Sequence, residues 1–281
     1  MPLTCVGMEI ITLGTGTPIP SPDRAGSSTL IKAGGLNLLF DCGRGVLMRL
    51  AGAGVPTPLM LAGQFLTHLH SDHTTDYNDV ITTRWATAPV PQQLRVFGPV
   101  GTQLFTERTL AALEEDIGYR MAHHDDLTEG PDVAVSEIVA GPVFDEGGVT
   151  ISAQQTDHKP VHPTIGYRVE HEGKSAVIAG DTVPCEGLDR LCDGADVYVQ
   201  TVLRRSAVEA FPFQRARDTI DYHSDLEDAG RTAAKAGVGA VVLTHLWPPP
   251  APGQEDDYIA EVAKHYDGRI ELAHDLFSIE V

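Results

Sequence analysis

The side chains best suited to bind metal are concentrated in one stretch, Thr67-His68-Leu69-His70-Ser71-Asp72-His73, with three histidines and one aspartate within six residues. His68 and His70 are two residues apart, so on an extended segment they point the same way. Asp72 and His73 follow a turn and face a second point a few ångströms away. Imidazole and carboxylate groups without thiolate favour zinc, with manganese or iron as alternatives, and two such ions roughly 3.5–4 Å apart form a hydrolytic centre. A polar turn with satisfied hydrogen bonds is the alternative, but it does not account for four ligand-type side chains so close together.

Predicted strands position these residues and others of the same type. Gln64-Phe65-Leu66 indicates the end of a buried strand, and the polar residues after Ser71 indicate a turn that opens a helix. Three further strand patterns lead to ligand-type side chains: residues 149–153 to His158, residues 175–179 to Asp181, and residues 240–244 to His245. Each candidate ligand therefore follows a predicted strand.

The spacing His-x-His-x-Asp-His resembles the signature of the metallo-β-lactamase superfamily and matches it at every fixed position. The segments Leu13-Gly14-Thr15-Gly16-Thr17-Pro18 and Asp41-Cys42-Gly43-Arg44-Gly45 are similar to the ribonuclease Z-like branch of that superfamily. The resemblance extends from about Met8 to His274. It implies an α+β fold, the four-layer αββα sandwich, in which two mixed β-sheets pack face to face with helices on the outer faces. We therefore expect residues 1–281 to form a single metallo-β-lactamase-like hydrolase domain.

The resemblance also implies two metal ions and seven ligands, which occur along the chain in the order His68, His70, Asp72, His73, His158, Asp181 and His245. We expect His68, His70 and His158 to bind one metal and Asp72, His73 and His245 the other, with Asp181 bridging the two. His162 competes with His158 for its place. Asp41 either holds a metal-binding histidine or is a turn aspartate that bonds its own backbone, and both interpretations stay open.

His223 precedes a well-marked helix, for which Ser224 and Glu227 predict a capping box and Gly237 predicts the end. The resemblance implies that His223 stabilises the transition state or protonates the leaving group, while Asp72 orients a hydroxide held between the metals. A surface histidine next to a helix is the alternative for His223.

Composition restricts the substrate and the compartment. The 281 residues contain 20 basic and 39 acidic side chains, a formal charge of −19 that disfavours a nucleic-acid substrate because it repels a polyanion. The four cysteines, Cys5, Cys42, Cys185 and Cys192, form no disulfide framework and favour a reducing cytoplasm. No apolar run is long enough to span a membrane, and residues 1–5 lack the basic start of a signal peptide.

Two further segments bear on the substrate. Residues 203–217 combine arginine and aromatic side chains, either as a lid that recognises an anion or as a basic surface loop or subunit contact. Adjacent His123 and His124, followed by two aspartates, favour a solvated loop over a metal site. The interval from His158 to Asp181 is too short for the long flexible arm of transfer-RNA-processing members, which weighs against tRNA.

These observations predict a dinuclear metal-dependent hydrolase that cleaves a small anionic ester by attack of a metal-bridging hydroxide, with a phosphodiester first and an aryl sulfate (arylsulfatase) second. The alternative is a tRNA 3′-end processing endoribonuclease of the ribonuclease Z type. A lactone or β-lactam hydrolase, a mononuclear iron oxygenase and a non-catalytic metal-binding protein are less favoured. Family analogy also suggests a homodimer.

Overall fold

One seven-stranded sheet is built from the N-terminal half of the chain and its last strand. The structure is a computed structural model that describes residues 7–281. The strands of this sheet are β1 (Glu9–Gly14), β2 (Ser28–Ala33), β3 (Leu36–Phe40), β4 (Leu61–Phe65), β5 (Leu94–Pro99), β6 (Val133–Ile138) and β14 (Phe277–Glu280), in the order β14-β1-β2-β3-β4-β5-β6. The pairs from β14 to β3 are antiparallel and those from β3 to β6 are parallel, so the sheet is mixed.

The remaining strands form a second seven-stranded sheet, also mixed. They are β7 (Gly141–Glu146), β8 (Val149–Gln155), β9 (Ile165–His171), β10 (Lys174–Ile178), β11 (Val197–Leu203), β12 (Ala240–Trp247) and β13 (Arg269–Leu272), in the order β13-β12-β11-β10-β9-β8-β7. β7 to β10 pair antiparallel and β10 to β13 pair parallel.

Helices cover the outer faces of both sheets. They are α1 (Val46–Gly52), α2 (Ser71–Thr74), α3 (Tyr77–Thr87), α4 (Thr102–Ala112), α5 (Glu114–His123), α6 (Glu186–Cys192), α7 (Arg205–Glu209), α8 (Gln214–Arg217), α9 (Leu226–Ala236) and α10 (Glu255–Ala263). Along β11, Val197 and Val199 pack between the sheets while Tyr198 packs under the helices, because successive strand side chains alternate faces. With α1 and α3 on the first sheet and α6, α9 and α10 on the second, the predicted αββα sandwich is confirmed.

An aromatic cluster joins the two sheets directly below the histidine stretch. Phe65, the last residue of β4, stacks on Phe40 and Phe97 with ring centroids 4.8 and 4.9 Å apart. Tyr167 of β9 meets Phe65 edge-on, and its hydroxyl donates to the Leu66 carbonyl at 2.8 Å. The chain therefore enters the histidine stretch from a part of the core in which the two sheets are in contact.

Two local predictions were wrong. The capping box of α9 is formed by Asp225 and Asp228, because the Ser224 hydroxyl instead donates to the Thr182 carbonyl at 2.7 Å. His123 ends helix α5 rather than lying in a loop.

The described cysteines and helices bear on the predictions about compartment. Cys42, Cys185 and Cys192 are free thiols, and Cys5 lies outside the described residues. Within residues 7–281, no helix has the length and apolar character needed to cross a membrane.

Candidate metal centre

Both sheets contribute to one cleft at the same edge of the sandwich. His68 and His70 follow β4, and the short helix α2 carries Asp72 and His73. From the second sheet come His158 after β8, Asp181 after β10 and His245 within β12. The strand β12 carries an extra residue opposite β11 at this point, and His245 has a left-handed backbone with φ of 49°. His245 therefore sits at a bulge rather than at the predicted strand end.

The first group of ligands contains His68, His70, His158 and Asp181, with one ligand atom from each lying within 4.8 Å of the others. Nδ1 of His70 lies 3.1 Å from Nε2 of His68 and 3.3 Å from Nε2 of His158. On its other side, Nδ1 of His158 donates to the Tyr222 carbonyl at 2.7 Å. Because a carbonyl only accepts, the proton of His158 is on Nδ1, and the lone pair of Nε2 faces the group. His162 is exposed and belongs to no ligand group among the described residues.

Asp72, His73 and His245 form the second group. Nε2 of His245 lies 3.0 Å from Oδ2 of Asp72, and Nε2 of His73 lies 3.7 Å from the same oxygen. Oδ2 of Asp181 is 3.4 Å from Nε2 of His73 and 3.8 Å from Nε2 of His245. The same oxygen is 3.8 Å from Nε2 of His68 in the first group, so Asp181 stands between the two groups.

Asp41 holds the ligands from behind. Its Oδ2 accepts from Nδ1 of His73 at 2.8 Å and from the Thr67 hydroxyl at 2.8 Å, while Oδ1 accepts from the Thr67 amide at 2.8 Å. Since the Thr67 hydroxyl gives its proton to Asp41, it accepts from Nδ1 of His68 at 3.0 Å. Of the two interpretations left open by the sequence, the structure supports the first, because Asp41 bonds the candidate ligand His73 directly and the candidate ligand His68 through Thr67.

Burial lowers the pKa of the first-group histidines. It moves the pKa of His68 well below the ordinary value and that of His158 to about 4, against the opposing pull of the Asp181 carboxylate. The pKa of His70 is lowered for the same reason. These imidazoles are therefore neutral near pH 7, which is the form that binds metal.

The second group has the opposite electrostatics. Burial raises the pKa of Asp72, but the hydrogen bond with His245 and the charge of His73 outweigh it and bring the pKa to about 2. The pKa of Asp181 is also held well below its usual range, chiefly by His245 and His73 against burial. Burial lowers the pKa of His73 and His245, yet the nearby carboxylates, Asp181 foremost, raise both above the ordinary value.

The residues present fit two divalent cations. Nε2 of His73 and Oδ1 of Asp181 are buried and have no hydrogen-bond partner among residues 7–281. Buried polar atoms without partners cost free energy, and ring nitrogens 3.1–3.3 Å apart cannot both present lone pairs without repulsion. Cations between these atoms would remove both penalties. The imidazole and carboxylate donor set suits zinc, manganese or iron.

His223 lies at the open side of the cleft, next to Asp181. Its Nδ1 donates to the Thr219 carbonyl at 3.0 Å, so its Nε2 faces the cleft 3.2 Å from Oδ2 of Asp181. The amide of Ser224 donates to the Thr182 carbonyl at 2.8 Å and fixes this segment on the end of β10. The predicted catalytic histidine is therefore in reach of a group bound at Asp181.

A cavity of about 1010 Å³ opens over the ligands, and its lining includes Ile19, Phe211, Phe213, Tyr222 and Trp247. Ile19, Tyr222 and Trp247 line the site although no sequence motif indicates them. Their only signal was proximity in sequence to motifs, since Trp247 follows His245 by two positions and Tyr222 precedes His223.

Most arginines of residues 203–217 bind groups of the protein itself, so the segment is not the single basic lid that the sequence left open. Arg204 pairs with Glu261 at 2.8 Å, Arg205 pairs with Asp225 at 2.6 Å, and Arg217 donates to the Phe211 carbonyl at 2.6 Å. Arg215 lines the cavity and has no polar partner within the described part of the chain. Only this arginine of the segment is available to an anion in the cleft.

Comparison with known proteins agrees with the fold and gives the family. A β-lactamase superfamily domain model matches residues 36–246. The chain is 52% identical over 276 residues to a protein named ribonuclease Z from Mycobacterium bovis (strain BCG / Pasteur 1173P2), covering 98% of each. The protein of the same name from Mycobacterium marinum is also 52% identical, with 98% of this chain and 99% of that one covered.

Solved structures share the fold at lower identity. The metallo-β-lactamase fold protein YhfI from Bacillus subtilis superposes with a TM-score of 0.75 at 22% identity, covering 98% of this chain and 99% of that one. The short form of human tRNase Z gives a TM-score of 0.72 at 23% identity, with 96% and 98% covered.

Proposed function

Because the chain belongs to the metallo-β-lactamase superfamily, and within it to the ribonuclease Z family, we propose that it is a dinuclear endoribonuclease that cleaves transfer-RNA precursors at the 3′ end. At the coarser level it is a metal-dependent hydrolase of phosphodiester bonds. The observation that carries the proposal is the pair of ligand groups with Asp181 between them, in a chain 52% identical to proteins named ribonuclease Z. We also propose that residues 1–281 act as one domain, since both sheets supply ligands.

The missing arm does not separate this chain from its relatives. Between His158 and Asp181 the structure contains little besides β9 and β10. The relatives named ribonuclease Z align over 276 residues that cover 98% of both chains, which leaves no room for a long insertion there either. We therefore propose tRNA as the substrate, ahead of the small anionic ester that the net charge favours.

The ligand groups would hold two divalent ions, which we propose to be Zn²⁺, with Mn²⁺ or iron as alternatives. His68, His70 and His158 would hold one ion and Asp72, His73 and His245 the other, with Asp181 shared. Such ions activate water and stabilise charge on the phosphoryl oxygens.

Three side chains of the protein act on the substrate in this proposal. Asp72, with a pKa of about 2, stays ionised and can accept a hydrogen bond from the attacking water. His223 presents Nε2 to the cleft and, when protonated, donates to the leaving oxygen. Arg215 is available to a phosphate of the bound strand.

Two observations favour a second candidate, a small aryl ester such as an aryl sulfate. The net charge of −19 opposes a polyanion, and the cavity has aromatic walls that suit an aryl group.

A cytoplasmic location is part of the ribonuclease proposal, in keeping with the free thiols.

The test is cleavage of a tRNA precursor with a 3′ trailer by protein of known metal content, with the product ends mapped. We expect two metals per chain, cleavage next to the trailer, and loss of cleavage in Asp181→Ala. Asp196→Asn is the matched control, because Asp196 is a hydrogen-bonded carboxylate remote from the cleft. Protein with two metals that hydrolyses p-nitrophenyl sulfate but leaves the precursor intact would replace the ribonuclease with the aryl ester hydrolase.

A further inference from the structure

Aromatic side chains form a wall of the cavity over the metal ligands. Phe213 is 70% exposed although it is large and apolar. Phe211 stacks on Trp247 with centroids 5.3 Å apart and planes 10° from parallel. All three line the same cavity as Asp181 and His223. Exposed apolar groups gathered in a cleft mark a surface that binds an apolar part of a ligand.

This wall is fixed relative to the catalytic side chains. The amide of Arg204 donates to the Trp247 carbonyl at 2.8 Å, which joins β12 to the start of the segment. Arg217 holds the Phe211 carbonyl at 2.6 Å, and His223 holds the Thr219 carbonyl at 3.0 Å. These bonds therefore hold the backbone that carries Phe211 and Trp247 close to the segment that carries His223.

The charge of the wall suits a ligand that combines a flat apolar face with an anion. Arg215 lies two residues after Phe213 and is exposed in the same cavity, with no polar partner among residues 7–281. The other three arginines of the segment are paired with the carboxylates of Glu261 and Asp225 and with the backbone carbonyl of Phe211. A nucleotide offers both features, because every base has a flat π-face and carries a phosphate beside it.

We propose that an unpaired nucleotide next to the scissile phosphodiester occupies this cavity, with its base stacked on Phe213 beside the Phe211–Trp247 pair and a flanking phosphate at Arg215. The proposal rests on the ribonuclease function proposed above and adds the recognition of the strand. Stacking tolerates every base, so the wall selects for an unpaired strand and not for a sequence.

The test combines the Phe213→Ala protein with RNA that lacks one base. A precursor is prepared with its natural bases, and two others carry an abasic site on one or the other side of the scissile bond. On natural RNA we expect kcat/KM to fall about 5- to 150-fold in Phe213→Ala, the range of base–aromatic stacking. On one of the abasic RNAs the same substitution should change kcat/KM less than about twofold, because the stacking partner is already absent.

Control variants separate stacking from general damage. Phe213→Tyr keeps the ring and should restore cleavage. Tyr119→Ala removes an equally exposed aromatic, also at 70%, from α5 outside the cavity lining, and should leave cleavage unchanged. Arg215→Ala should reduce the salt dependence of RNA binding by about one phosphate contact, whereas Arg108→Ala on the surface of α4 should not.

Different outcomes would contradict the stacking of a base and the ribonuclease function on which it rests. Equal losses on the natural and both abasic RNAs, or no loss on any, would overturn the stacking. Wild-type protein with two metals that cleaves no RNA would overturn the ribonuclease function instead. Metal analysis of each variant ensures that a loss is not a loss of ions.

Discussion

Replacing Asp41 with asparagine should weaken metal binding in both ligand groups. The Asp41 carboxylate is 3% exposed and accepts three hydrogen bonds, each 2.8 Å long, from His73 and Thr67. His73 belongs to the second group, and Thr67 links Asp41 to His68 of the first. One buried carboxylate thus orients a ligand of each metal.

The size of the loss in metal affinity follows from the amide group that asparagine would put in place of Oδ2 of Asp41. An amide nitrogen there would donate to Nδ1 of His73, and the imidazole proton would then move to Nε2, the nitrogen that faces the cleft. Loss of such a partner typically costs about 10- to 100-fold in metal affinity, or about 1.4 to 2.7 kcal/mol. Loss of the negative charge also lowers the pKa of His73, so protons compete less with metal in the variant and part of the loss in affinity is hidden. The metal titration should therefore be done near pH 8, where protons compete weakly in both proteins.

The assay is competition between the protein and a chromophoric chelator, with both binding constants fitted. Asp196→Asn is the control, since Asp196 accepts from the Ser175 amide at 2.8 Å and from Lys174 at 3.0 Å at the far end of β10. If Asp41→Asn binds both metals as tightly as the wild type, orientation of His68 and His73 by Asp41 is not what sets affinity, and the reasoning fails.

Two further predictions concern pH and packing. Because the pKa values of His73 and His245 are raised and those of the other histidine ligands lowered, protons compete with metal mainly in the second group. Elemental analysis after dialysis should therefore give nearly two metals per chain at about pH 8 and nearer one at about pH 6, and equal occupancy at both would contradict it. Gly43→Ala should destabilise the protein by about 1–3 kcal/mol in urea, because its Cβ would lie 2.2 Å from the Asp72 carbonyl. Gly118→Ala in α5 meets open space and should be neutral or stabilise by up to about 1 kcal/mol; similar losses for both would point away from the contact at Asp72.

The candidate ligands that the structure brings together could be picked out in the sequence because their signals are local. His68, His70, Asp72 and His73 share one short stretch, and the later candidates each follow an apolar run. Strand identity and side-chain alternation depend on neighbours in sequence, so they need no knowledge of tertiary contacts. The sandwich followed from the family resemblance and was confirmed.

Features decided by tertiary contacts could not be predicted. Helix α5 has no buried residue and contains Gly118, which lowers helix propensity, so the sequence does not indicate that a helix continues as far as His123. Ser224 and Asp225 are both good cap residues, and only the contact of Ser224 with Thr182 decides that Asp225 caps α9. Ile19 and Trp247 meet at one cavity although more than two hundred positions separate them.

The division of ligands between the sheets makes the metal centre depend on the core. His68 and His70 follow a strand of the first sheet, whereas His158 and Asp181 follow strands of the second, so neither sheet can form the first group alone. Between the sheets, Tyr167 of β9 packs edge-on against Phe65, and its hydroxyl donates to the carbonyl of Leu66, two residues before His68. The affinity for metal therefore depends on the distance between the two sheets. A change in that distance moves ligands of one sheet relative to ligands of the other, and only the packing of the core holds them together.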